Sequence, residues 1–311
     1  MVEDAPFYHD VAEGPPDARA YWCQTSDGVR VRAALWPSGT AGTVLMLNGR
    51  TECVEKYARL AETLGAAGFA SASVDWRGQG LSDRLAADPN LGHVGAFLDF
   101  QKDVAALLDL VRSKDMPEPY FLIAHSMGGA VGLRALLNEL PVRAAVFSAP
   151  MWGIRFSPPM RPVAWALSWT MTTMGLGARF VPSTVPQAYL IANPFKGNDL
   201  TTDPEQYAYM RNQVERYPAL GVGGPSARWL TQALHECAAL MGTPGPQVPT
   251  LVGLGSREAI VDAPTIRTYA AAWPEAELVP YEGAEHELLM ERADVREDFI
   301  ARAVALFQHS A

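Results

Sequence analysis

The sequence predicts an α/β protein: a mostly parallel sheet covered by helices on both faces, with a helical segment inserted late in the chain. Three observations carry this. Short apolar runs recur along the chain with helical patterns between them, the rhythm of a parallel sheet. One run, residues 120–124, passes straight into His125-Ser126-Met127-Gly128-Gly129 and then into a further helical pattern. The rhythm stops at Met151 and resumes after Pro246. The expected division is a core made of residues 1–150 and 247–311, with residues 151–246 inserted.

Taken in order, residues 21–25 and 29–36 alternate as strands do, and Ser26-Asp27-Gly28 between them is a hairpin signal. Thr43–Leu47 is a short apolar run and reads as a buried strand ending in Asn48-Gly49-Arg50. Tyr57, Leu60, Ala61 and Leu64 share one helical face. Residues 69–74 form the next strand, followed by Asp75-Trp76-Arg77-Gly78. Phe97, Phe100, Val104, Leu107, Leu108 and Val111 mark a long amphipathic helix. Residues 144–147 are a strand. Within the insertion, residues 162–178 lack charge but carry several Ser, Thr and Gly, which suits a buried or lid helix better than a membrane span. Residues 248–254 and 278–281 are the last strands, and helices are expected near residues 264–272 and 295–306.

Bulk properties exclude several functions. The chain has 311 residues, is 49% hydrophobic and carries a net charge of −9, so it has a core but no basic stripe for a nucleic-acid backbone. Cys23, Cys53 and Cys237 are widely spaced, which fits a reducing compartment and neither a disulfide framework nor a zinc site. The acidic start of the chain has neither the basic nor the apolar region of a signal peptide. Cytoplasmic residence is the expectation.

The strand–turn–helix around Ser126 is the context of a nucleophile elbow, a sharp turn that tolerates only small neighbours. Ala124, Gly128 and Gly129 supply them. A serine hydroxyl needs a base, and the base needs an orienting group. Of the six histidines, His286 alone follows the final strand in a loop, Gly283-Ala284-Glu285-His286-Glu287. His125 adjoins the serine, where side chains diverge. The acid belongs between serine and histidine, after the penultimate strand, where Glu258 and Asp262 both qualify. Glu258 follows a short Gly-Ser-Arg loop from the strand end, whereas Asp262 stands beside a helix start, where Asp has a capping role. The oxyanion needs backbone N–H donors: Met127, which follows the nucleophile, and Arg50 in the loop after Thr43–Leu47.

These pieces resemble the α/β-hydrolases of the lysophospholipase L2 and monoacylglycerol lipase group. The resemblance rests on Leu47-Asn48-Gly49-Arg50-Thr51-Glu52 with Lys56-Tyr57, residues 75–82, His125 to Gly129, Gly255-Ser256-Arg257-Glu258, and Gly283 to Leu289. It implies the α/β-hydrolase fold with an inserted helical cap, and a serine-dependent carboxylic ester hydrolase with the triad Ser126, Glu258 and His286. Ala124 departs from the usual glycine of the motif. Asn48 replaces the common histidine, which resembles the lysophospholipase branch. No metal or organic cofactor is implied. The expected partner is a lipid or other small-molecule ester, with transient membrane-surface contact through the cap, whose Trp152 and Trp169 are expected to bind substrate. A peptidase of the proline-aminopeptidase kind would share the triad but need acidic cap residues, for which Glu205, Glu215 and Glu236 are candidates. A binding module on the same fold would be expected to lack a triad member.

Overall fold

A computed structural model describes residues 3–182 and 184–311. Its sheet is built from β1 (Glu3–Ala5), β2 (Arg19–Gln24), β3 (Arg30–Trp36), β4 (Thr43–Leu47), β5 (Ala70–Val74), β6 (Tyr120–His125), β7 (Val142–Ser148), β8 (Thr250–Gly255) and β9 (Ala276–Tyr281). Their order is β1-β2-β3-β5-β4-β6-β7-β8-β9. The β1, β2, β3 and β5 neighbours pair antiparallel, and every pair from β5 to β9 is parallel.

Strands β4, β6 and β8 are nearly continuous apolar runs because helices cover both their faces. Along β4, Val44 and Met46 point into one core and Leu45 and Leu47 into the other, as strand alternation requires. The first core lies under α2 (Ala58–Ala66) and a C-terminal helix, with Leu60, Leu64, Phe299 and Phe307 buried in it. The second lies under α3 (Phe100–Ser113), α4 (Met127–Leu137) and a late helix that supplies Ile266 and Tyr269.

The acidic N-terminus is more ordered than the sequence suggests. Beyond β1, the single turn α1 (His9–Ala12) buries Val11 and Ala12 completely or nearly so. Between β7 and β8 the described residues form no strand of the sheet. They form α5 (Met160–Thr173), α6 (Tyr189–Ala192), α7 (Pro204–Arg216) and α8 (Ala227–Met241). After β8 come α9 (Ala263–Ala272) and, after β9, α10 (Ala293–Ser310). Helix α5 is a surface helix that buries only Ser168, so the uncharged stretch there is not a core element. It rests on α8, where Trp165 packs against His235 at 4.7 Å and Thr172 Oγ1 lies 3.3 Å from Thr231 Oγ1. No described helix is long and apolar enough to cross a membrane.

Candidate active site

The site forms where β4, β6, β8 and β9 end, the side on which parallel sheets present ligand-binding loops. Ser126 lies between β6 and α4 with φ +50° and ψ −117°, a conformation that L residues adopt only under constraint. Its backbone is over-determined. Ser126 N donates to Ser148 O at 3.1 Å, and Ser126 O accepts from Gly129 N and Met151 N, both at 2.8 Å. A Cβ at Gly128 would stand 2.1 Å from Leu47 O, so only glycine lets α4 approach the end of β4 this closely.

The alanine at 124 has a local explanation. Its Cβ lies 3.0 Å from where a Cβ on Gly132, in the second turn of α4, would stand. The small residue that the strand lacks is present on the helix facing it.

His286 Nδ1 lies 2.7 Å from Glu258 Oε2. The other carboxylate oxygen, Oε1, accepts from Ile260 N at 2.6 Å and Val261 N at 3.0 Å. Burial acts to raise the Glu258 pKa, but His286 and these two amides carry it below the ordinary carboxylate value. Burial acts against charge on His286, yet Glu258 beside it, with Glu287 and Glu52 further off, raises its pKa above the ordinary imidazole value. Asp262 does not face the ring: it stands at the start of α9 and accepts from Thr265 Oγ1 at 2.9 Å.

Ser126 and His286 line one cavity of about 810 Å³. No direct hydrogen bond joins their side chains here, and such contacts commonly tighten only around substrate. Met127 opens α4, where an N–H has no partner within its own helix. In the loop after β4, Gly49 N donates to Glu52 Oε2 at 2.7 Å and Thr51 N to Gln79 Oε1 at 2.5 Å. The Arg50 N–H between them makes no such bond among the described residues. Asn48 fastens the loop from below: Nδ2 donates to Val74 O at 3.1 Å, and the Asn48 carbonyl accepts from Trp76 Nε1 at 2.8 Å.

Beneath the imidazole lies a buried charge layer that sequence reading missed. Lys56 Nζ bridges Glu52 Oε1 at 2.7 Å and Glu287 Oε2 at 2.6 Å. His125 Nε2 lies 3.1 Å from Glu287 Oε2, and the His125 and His286 rings are 4.8 Å apart. Burial acts to raise the Glu287 pKa, but His125 and Lys56 hold it well below the usual carboxylate range. Glu52, His125 and Glu287 are close enough to share a metal ion, but the Lys56 ammonium already bridges the two carboxylates. Only the Glu52–Lys56 pair is local; Glu287 and His125 join it from distant segments, so the sequence did not show that the four side chains meet.

The cap tryptophans stand elsewhere than expected. Trp152 is fully buried in the core, not in the cavity wall. The chain leaving β7 turns down against α4, so the indole fills the space among Phe147, Tyr269 and Trp273 and donates to Gly129 O at 3.2 Å. Trp169 is 55% exposed on the outer side of α5, also outside the cavity. The residues that do supply apolar lining from the insertion include Phe156, Val181, Leu190, Met210 and Leu230.

Residues 38–293 match the family described as serine aminopeptidase, S33. The chain is 33% identical over 266 residues to lysophospholipase L2 of Escherichia coli strain K12, covering 81% of this chain and 76% of that protein. It is 29% identical over 261 residues to a probable lysophospholipase L2 of Haemophilus influenzae, covering 83% and 80%. In fold it is similar to a monoglyceride lipase of Saccharomyces cerevisiae, with TM-score 0.71, 19% identity and 93% and 95% of the two chains covered. A thermostable carboxyl esterase of Bacillus coagulans gives TM-score 0.75 at 17% identity, with 94% and 98% covered. The chain has the α/β-hydrolase fold, belongs to the S33 serine aminopeptidase family, and is a serine ester hydrolase of its lysophospholipase and monoacylglycerol lipase group.

Proposed function

We propose that the protein hydrolyses the acyl ester of a lysophospholipid, with monoacylglycerols as the neighbouring substrate class. The observation that carries this reading is a single cavity. It holds a serine on a constrained turn, an imidazole gripped by a carboxylate, and a largely apolar wall in a volume of about 810 Å³.

In this reading Ser126 Oγ attacks the ester carbonyl carbon while His286 Nε2 takes the hydroxyl proton. Glu258 acts as a positioning residue: it fixes the ring through Nδ1 and stabilises the imidazolium. The Met127 and Arg50 N–H groups hold the oxyanion. His286 then returns the proton to the leaving glycerol oxygen, and an acyl-enzyme remains. Water attacks this ester with His286 as base, and the fatty acid leaves. Residues 151–246 act as a cap that supplies the acyl-chain wall.

An aminopeptidase on this scaffold needs a carboxylate in the cavity for the substrate amine. Glu205 and Glu215 have side chains 79% and 48% exposed, and Glu236 is tied to Arg134 at 2.7 Å. None of the three lines the cavity.

The cap also suits contact with a lipid surface. Met160, Val163, Leu167, Trp169, Met174 and Leu176 are large apolar residues left exposed on and just after α5. The three cysteines are free and buried, which supports a reducing, cytoplasmic setting.

The test is a panel of lysophosphatidylcholine, monoolein, p-nitrophenyl butyrate and proline p-nitroanilide. Turnover of the long-chain esters with no anilide cleavage is expected. Anilide cleavage, or ligand binding without turnover of any ester, would contradict the reading.

A further inference from the structure

Among the described residues, the cavity contains one cation without a counter-charge. Lys56 is neutralised by Glu52 and Glu287. Arg50 lines the same cavity, and no described carboxylate reaches it. Its guanidinium makes one hydrogen bond, from Nη2 to Gly223 O at 2.5 Å, while Nε is buried without any partner. It lies over Trp229 at 5.2 Å, and it packs so closely on Gly92 that a Cβ there would stand 2.4 Å from Nη2. Burial, unopposed by any acid, pushes its pKa down to about 10. A cation kept this way in an apolar wall is costly unless something completes it.

We propose that the Arg50 guanidinium receives the phosphate of the substrate's headgroup, so that the enzyme selects phosphate-bearing acylglycerols over neutral ones. This rests on reading the cavity as the ester-hydrolase site. The acyl chain and an unsubstituted glycerol carry no negative charge, so the phosphate is the part of such a substrate that pairs with the cation. The reach also fits. The backbone N–H of Arg50 is the candidate oxyanion donor, and the glycerol between ester and phosphate spans as many bonds as the arginine side chain from backbone to guanidinium. Guanidinium and phosphate oxygens match as a bidentate pair.

The test measures binding without turnover, so it stands apart from the hydrolase reading. Ser126→Ala protein is titrated by calorimetry with 1-O-hexadecylglycerol 3-phosphate and with 1-O-hexadecylglycerol, both uncleavable ethers and both below micelle concentration. The phosphate ether should bind about 10- to 100-fold tighter. Arg50→Met in the same background should collapse that ratio toward one. Gly92→Ala, which displaces the guanidinium while keeping its charge, should reduce it too, and decides the matter if Arg50→Met does not fold. Equal affinities for the two ethers in the parent protein would overturn the proposal. So would an unchanged ratio in both variants, or equal losses for both ligands together with a lowered melting temperature, which is the signature of a mere strut to Gly223. If palmitate gains as much from Arg50 as the phosphate ether does, the group reads any oxyanion and the phosphate assignment falls.

Discussion

The imidazole of His286 is buried where charge is disfavoured, and the Glu258 carboxylate at 2.7 Å is the nearest group that offsets this. A catalytic base must be neutral, so a raised pKa moves the acid limb of activity upward. The kcat/KM profile should therefore fall on acidification with a midpoint above the ordinary imidazole value of about 6.5. Glu258→Gln keeps the shape but removes the charge. It should lower kcat by roughly 10³–10⁴-fold and move the acid limb down in pH, with little change in melting temperature. An acid limb that stays in place in Glu258→Gln would mean that another group sets the His286 pKa. If Asp262→Asn gives the turnover loss instead, the orienting acid is misassigned.

The elbow shows how two elements share one steric requirement. Ala124 on β6 and a side chain at Gly132 on α4 would crowd each other, since their Cβ positions would be 3.0 Å apart and one must give by a few tenths of an ångström. Gly132→Ala should therefore cost more stability in the native background than in Ala124→Gly. The coupling between the two should be about 0.5–3 kcal/mol by chemical denaturation of the four proteins. Additive effects would show that the contact is slack. The buried strands around this elbow were legible because each is a short apolar run bounded by turn residues, and β4 was read to its ends. Strand β1 was not, because Glu3-Asp4-Ala5 pairs at the sheet edge through its backbone with no apolar signal. Glu258 and His286 stood out by their place after strands. The layer of Lys56, Glu52, Glu287 and His125 did not, because beyond the local Glu52–Lys56 pair it is closed by residues from distant segments. Trp152 was misread for the same reason: Tyr269 in α9 and Trp273 just after it, which enclose it, arrive over a hundred residues later.

At the scale of the molecule, the net charge of −9 gives no overall attraction to anionic membranes, and on a zwitterionic surface the proposed docking rests on the apolar surface of α5. Sedimentation with phosphatidylcholine vesicles should show binding that changes little between low and high salt. The double variant Leu167→Glu and Trp169→Glu should weaken that binding by about tenfold or more while leaving p-nitrophenyl butyrate turnover within about twofold. Binding that disappears at high salt, or a double variant that still binds, would remove α5 from the contact. The catalytic assignment depends on the serine at the elbow. The most direct test is labelling with a fluorophosphonate probe, peptide mapping of the adduct, and an ester assay of purified Ser126→Ala. The account predicts a single adduct on Ser126, and loss of labelling with a fall in turnover of about 10⁴-fold or more in the variant. An adduct on another residue, or undiminished hydrolysis by Ser126→Ala, would contradict it.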